Sequence, residues 1–513
     1  MVFVMTVYHS AAMNGWNDNE GKTQEMVQPC DLTASEARFL IGAKQLSPVE
    51  LLTSCLARIE DANEAVNGVV AIDKEGARAA AERAEKAVLA GEELGPLHGL
   101  PIGIKDLNDT AGLRTTYGSR LYEQHVPAED EHLVANLRRK GAIVFAKTNT
   151  PEWGAGGNTF NPVYGVSGNP FDVSLTCGGS SGGSAIALSL GMMPLAHGSD
   201  NAGSLRIPAA YCGVVGFRPT AGIVASEKRL IGLSHLPVQG PMARTSEDVR
   251  LLLRAMATSA SIDALATPLD EKDDAPVDVS RLKVAFSQDL GFAPCEEGLR
   301  RTFDERTAAF ASIFRETAVA HPDFGEVRRV YEILRAVNYI GMFADRQKDK
   351  PRQWGPLVQQ NLDHAARFSL EDASLAFIEQ NRIYQRVQAF FREFDLLITP
   401  TVGAYPWPKQ DMYPAEIGGE PIANYFDWVG LTYAITLINH PCISIPCGRD
   451  DRGLPFGLQI IGRRNADLHL VRVAEAIEKV LAPSPALARP LPDLSYVRTV
   501  QVNDRMQPVV AAG

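Results

Sequence analysis

What is scarce in this sequence removes whole classes of function. No run of about 18 apolar residues occurs along the 513 residues, so no bilayer-spanning helix is expected. Cysteine is sparse: the 7 residues, at positions 30, 55, 177, 212, 295, 442 and 447, are odd in number, scattered and never spaced as CxxC. That pattern argues against a disulfide framework or a zinc site and suits a reducing compartment. Basic residues are outnumbered, 50 Lys and Arg against 61 Asp and Glu, for a formal net charge of −11 without a basic stripe. A nucleic-acid binder is thereby disfavoured. The opening segment, MVFVMTVYHSAAMNGWNDNEG, has no basic residue ahead of its apolar start, and His9 and Asn14 interrupt it early, so no secretory signal is expected. No internal repeat stands out. A composition that is 45% hydrophobic leaves an ordinary globular protein, with a cytoplasmic enzyme as the expectation.

The densest chemistry lies in residues 176–208, TCGGSSGGSAIALSLGMMPLAHGSDNAGSLRIP. Two serine clusters flanked by glycine, residues 178–184 and 198–204, enclose an apolar run at 185–190 that is long enough for a short helix. Small residues at this density let backbone N–H groups converge on one point, because no side chain blocks their approach. A Gly/Ser linker is the common alternative, but linkers are not split by an apolar helix. Upstream, GLPIGIKD at 99–106 reads as a short buried strand ending on Lys105. A lysine in that place is usually a snorkelling surface residue. Desolvation could instead leave it neutral near pH 7 and able to serve as base for a serine nucleophile. Together the fragments suggest a Ser–Ser–Lys relay.

GLPIGIKD, GGSSGGSA and GSDNAGSLRIPAAYCGVVGFRPT together resemble the amidase signature family of amide hydrolases. Lys105 and Ser180 stand 75 residues apart, and Ser180 and Ser204 stand 24 apart, as in that family's pattern. The resemblance implies Ser204 as nucleophile, Ser180 as a bridging serine after a cis peptide, and Lys105 as base. It implies the backbone N–H groups of Asn201, Ala202, Gly203 and Ser204 as oxyanion donors, and no metal or cofactor. Here Asn201-Ala202-Gly203-Ser204 replaces the usual TGGS, so residue 202 must adopt a conformation that accepts a Cβ. Cys177 and Arg218 are further departures, expected to stand apart from the relay. Ser181 and Ser184 are expected to bond nearby backbone and Asp200, with Ser181 the rival to Ser180 as bridge. Asp200 and Arg206 are expected to brace the nucleophile turn. His197 offers a Ser–His alternative, but a packed histidine with one backbone hydrogen bond is the expectation. Cys177 and Cys212 lack a paired histidine and read as buried structural residues.

Around this core the chain alternates short apolar strands with helices, as at 130–140, 142–147 and 281–286. Thr33-Ala34-Ser35-Glu36 and Ser47-Pro48-Val49-Glu50 are capping boxes, and 74–90 and 465–481 read as helices. The expected fold is α/β: one large amidase-signature domain, its mixed, twisted central sheet covered by helices on both faces, with a variable helical cap. Residues 1–30 would form an arm and 31–485 the domain, with the signature core at about 97–250, cap at about 296–428 and closing strands at about 395–462. Residues 486–513 would be a Pro-rich tail. Tyr331, Tyr339 and Phe343 form a stripe at helical spacing, with Trp354 beyond, more often core than ligand contact, while the cap and a loop at 402–428 with Trp407 and Trp428 would select substrate. The expected substrate is a small, apolar or aryl amide. The alternatives are a non-catalytic scaffold relative, a carbamate, ester or amide-oligomer hydrolase, and the glutamine-hydrolysing subunit of a tRNA-dependent amidotransferase. No nucleic-acid or membrane partner is expected; a homodimer follows the family's habit.

Overall fold

The computed structural model describes residues 27–349, 354–501 and 506. The arm assigned to 1–30 therefore lies outside the described residues except for 27–30. Both capping boxes form: Thr33 opens the helix Ala34–Gly42 and Ser47 opens Pro48–Val66, each with the reciprocal glutamate bond. Pro48 at the first helical position costs no hydrogen bond there. Apolar residues at helical spacing on Pro48–Val66, namely Leu51, Leu52, Cys55 and Ile59, are buried.

Eleven strands form one sheet: β1 (Val69–Ile72), β2 (Pro101–Lys105), β3 (Ile143–Thr148), β4 (Leu195–Asp200), β5 (Val215–Arg218), β6 (Val238–Ala243), β7 (Lys283–Phe286), β8 (Glu316–Val319), β9 (Leu396–Pro400), β10 (Cys442–Arg449) and β11 (Pro455–Ile461). Their order is β1-β3-β2-β4-β6-β5-β10-β11-β9-β7-β8. The pairs β2–β3, β2–β4, β7–β9 and β7–β8 are parallel, and the others antiparallel. β2, β3 and β9 are buried along their whole length, as strands covered on both faces must be. Alternate side chains divide between two cores. Val284, Phe286 and Ile398 join the one containing the helices Ser246–Met256 and Asp467–Leu481. Ala285 and Leu397 face the one containing Gly430–Leu437. This is the mixed sheet with helices on both faces that the sequence led us to expect.

Two elements were not foreseen. β8 interrupts a stretch read as helical throughout; it forms a sheet edge by pairing in parallel with β7. The Pro-rich tail carries the helix Leu494–Thr499, which docks through the buried Val497. All seven cysteines are free and buried. Among the described residues no helix is long and apolar enough to cross a membrane.

Candidate active site

β2 and β4 run parallel as neighbours, so their C-terminal ends open on the same edge of the sheet. Lys105 is the last residue of β2, and Ser199 and Asp200 are the last two of β4. The Gly/Ser chain delivers Ser180 and Ser181 to that edge before the helix Gly182–Ser189 begins. Lys105 is fully buried, its Nζ 2.8 Å from Ser180 Oγ, 2.9 Å from Ser181 Oγ and 3.0 Å from Ser199 Oγ. It forms no salt bridge among the described residues. Burial disfavours its charged form and pulls its pKa down to about 7, against the opposing pull of Asp200. The Gly179–Ser180 peptide is cis.

The turn from Asp200 to Ser204 is held from below. Asp200 Oδ1 accepts from Gly203 N–H at 2.8 Å and its Oδ2 accepts from Leu205 N–H at 3.1 Å. Arg206 pairs with both oxygens, and Arg218 Nη1 donates to Oδ1 at 3.1 Å and to the Asp200 carbonyl at 2.9 Å. All three side chains are fully buried. The two guanidinium groups hold the Asp200 carboxyl far below its usual range, outweighing desolvation. Arg206 also donates to Gln459 Oε1 at 2.6 Å, Thr436 Oγ1 at 2.9 Å and the Thr432 carbonyl at 3.0 Å. Arg218 thus leaves Lys105, Ser180 and Ser204 untouched, as expected, yet clamps the turn that carries Ser204.

The substitution in NAGS is absorbed at one position. Gly203, at φ 123°, takes the conformation only glycine favours, and a Cβ there would collide with the Thr432 side chain. Ala202 is not in the left-handed region. Because Gly203 N–H is committed to Asp200, it drops out of the expected set of open donors. Ala202 and Ser204 N–H make no hydrogen bond among the described residues.

Ser180, Ser199, Asp200, Asn201 and Ser204 line one cleft of about 180 Å³. Its other walls come from Leu107, Trp153, Val238, Gln239, Tyr339 and Met342, with Lys228 and Arg229 at one side. Both cations are already paired, Lys228 with Asp109 and Glu131, and Arg229 with Asp263. Trp153 stacks on Tyr117, centroids 5.0 Å apart and planes at 6°. Of the aromatic stripe, only Tyr339 reaches the cleft. Tyr331 is buried, stacks on Tyr433 and donates to the Asn201 carbonyl at 2.9 Å, supporting the turn from outside. Trp407 and Trp428 pack edge to face in the core, 4.8 Å apart, and do not line the cleft as expected of that loop; they are large enough to be more stable against each other than exposed.

Other expectations separate in the same way. Ser181 Oγ bonds the Ser199 carbonyl at 3.2 Å as well as Lys105, and Ser184 Oγ bonds the His197 carbonyl at 2.9 Å and Thr148 Oγ1 at 2.7 Å, so neither serine side chain bonds Asp200. His197 is fully buried and its Nε2 lies 2.8 Å from the Gln239 side-chain Oε1 instead of a backbone group. Burial pushes its pKa down to about 3, leaving it neutral. Ser199, Trp153 and Gln239 went unrecognised as site residues; only Ser199 had a signal, its place beside Asp200 in the second Gly/Ser cluster. Among the described residues no three His, Cys, Asp or Glu side chains group as metal ligands would.

The fold and this edge of the sheet define an amide hydrolase of the amidase signature type. The family profile described as Amidase matches residues 50–471, and the chain belongs to that family. It is similar to an acylamidase of Rhodococcus erythropolis, 32% identical over 88% of this chain and 95% of that one. It is similar as well to a glutamyl-tRNA(Gln) amidotransferase subunit of Picosynechococcus sp., 33% identical over 86% of this chain and 96% of that one. A bacterial aryl acylamidase of the amidase signature family superposes with a TM-score of 0.81 at 26% identity, over 92% of this chain and 99% of that one. The protein is accordingly an enzyme that cleaves carbon–nitrogen amide bonds.

Proposed function

We propose that the protein is a free-standing acylamidase for small apolar or aryl amides, working through an acyl-enzyme on Ser204. The observation that carries this is the cage around Lys105: a buried amine with a pKa of about 7, in contact with three hydroxyls and, among the described residues, no carboxylate. A neutral Lys105 accepts the proton of Ser180 Oγ as Ser180 takes the proton of Ser204, and Ser204 attacks the carbonyl. The developing oxyanion is met by the open N–H groups of Ala202 and Ser204, with Asn201 N–H beside them. The relay runs back to protonate the departing nitrogen, and water then releases the acyl group by the same path. Asp200, Arg206 and Arg218 position the turn.

The cleft walls of Leu107, Trp153, Tyr339 and Met342 suit an apolar or aryl group, in keeping with the names of the acylamidase relatives. The helix Val327–Asp349, which supplies Tyr339 and Met342, acts as part of a substrate-selecting cap. Seven free thiols fit a reducing cytoplasm, and a homodimer is the assembly to look for. Hydrolysis of a p-nitroanilide and a phenyl carbamate by the purified single chain tests the proposal. Wild type should turn over the anilide unaided, and Ser204→Ala and Lys105→Ala should each lose at least about a thousandfold in kcat/KM. Full activity in Ser204→Ala would sink the mechanism. Inertness of the lone chain, relieved by partner subunits, would favour an amidotransferase role.

A further inference from the structure

On one face of the sheet, a buried histidine and a half-buried glutamine outside the relay are hydrogen-bonded beside it. In the β4–β6 ladder Gln239 pairs opposite Ser199 and Pro241 opposite His197, so Gln239 and His197 are diagonal neighbours on the face that presents Ser199 to Lys105. His197 is fully buried and neutral, with Nε2 2.8 Å from Gln239 Oε1; its Nδ1 has no partner among the described residues. A bare ring nitrogen is tolerated in burial better than an orphaned N–H, so the proton sits on Nε2 and donates to Oε1. That bond fixes which way the carboxamide points. The Gln239 amide nitrogen is left with no hydrogen bond among the described residues, in a side chain that lines the same cleft as Ser180 and Ser204. A hydrogen-bond donor held in place by a buried partner and kept open toward a binding cleft is a recognition element rather than a packing one.

We propose that Gln239 is a specificity-determining residue, positioned by His197, whose amide N–H takes an acceptor oxygen that the substrate carries in addition to its scissile carbonyl. The inference rests on the acylamidase reading proposed above and narrows its substrates to those with a second acceptor, such as an ether, a further carbonyl or a sulfonyl group.

Matched anilide pairs test this. One pair varies the acyl side, methoxyacetyl against butyryl p-nitroanilide; the other varies the leaving side, 4-methoxy against 4-ethyl acetanilide. Within each pair the oxygen replaces a methylene of similar size. In at least one pair the wild-type kcat/KM ratio of oxygen-bearing to apolar substrate should fall about five- to tenfold in Gln239→Met, the range of one neutral hydrogen bond. His197→Leu should lower the same ratio, because the freed carboxamide loses its orientation. The double variant Gln239→Met/His197→Leu replaces both partners with apolar groups, so it should regain thermal stability over His197→Leu while its ratio stays at the Gln239→Met value. A ratio unchanged in Gln239→Met for both pairs, or an equal fall in both members of each pair, would overturn the proposal and leave the amidase reading standing. A wild type inert toward all four substrates would overturn the free-standing acylamidase reading and this proposal with it.

Discussion

Lys105 shows how one residue's surroundings set its chemistry. The same lysine at the surface would be charged, and the proposed relay needs a neutral amine to take the proton of Ser180. With the pKa at about 7, activity should rise with pH as a single proton leaves, half-maximal near neutrality, and fall below it as Lys105 becomes charged. A kcat/KM profile between pH 5 and 9 checks this; a flat profile would contradict it. Lys105→Arg keeps a cation at every pH and should lose about a thousandfold or more without recovering at high pH. That Lys105 meets Ser180, and that Ser180 and Ser204 share a cleft, was legible in the sequence because motif spacing marks all three. Trp153, Gln239 and the commitment of Gly203 N–H to Asp200 were not, since each depends on a neighbour far along the chain or on the exact path of the turn. Ala202 posed a question that the sequence could not answer: the backbone resolves it by giving the left-handed conformation to Gly203 alone.

The turn from Asp200 to Ser204 is an element whose shape depends on charge compensated out of sight. Asp200, Arg206 and Arg218 share one buried site, and the helix Gly430–Leu437 presents Thr432 and Thr436 to the Arg206 guanidinium. Removing the carboxylate in Asp200→Asn leaves two buried cations uncompensated and should cost about 3–5 kcal/mol in urea unfolding, with activity falling alongside. Arg218→Met leaves the Asp200–Arg206 pair intact and should cost clearly less; the reverse order would refute this view of the clamp. Sequence patterning found most elements here, including both capping boxes, the strand at β3 and the helix Lys74–Ala90, because local period and local caps carry them. It missed β8, whose four residues are strand only because β7 offers them an edge to pair with.

The whole molecule ties the helix Leu494–Thr499 to the strand that leads into the first Gly/Ser cluster. Tyr496 Oη, in the helix Leu494–Thr499, accepts from Val173 N–H at 3.0 Å, and Arg498 pairs with Asp61 at 2.7 Å. Val173 lies on the strand Asp172–Thr176 that leads directly into the first Gly/Ser cluster. Ending the chain after Pro492 should therefore lower stability by about 3 kcal/mol, from the lost burial of Val497 and the lost hydrogen bond, and slow turnover. A truncated protein with unchanged midpoint and rate would show the tail to be dispensable. Sheet order is the part of the fold that sequence reading could not supply, because it seats β10 beside β5, pairing Cys442 with Arg218 across about 220 residues of chain. Within that sheet and its flanking layers every cysteine is enclosed, and burial drives the Cys442 thiol up to about 11 and those of Cys177, Cys295 and Cys447 up to about 12. Since alkylation requires a thiolate in reach of the reagent, the folded enzyme should ignore iodoacetamide, and label uptake over time would count opening events. A single cysteine introduced on the surface would then accept a fluorophore or spin probe with all seven native ones left in place.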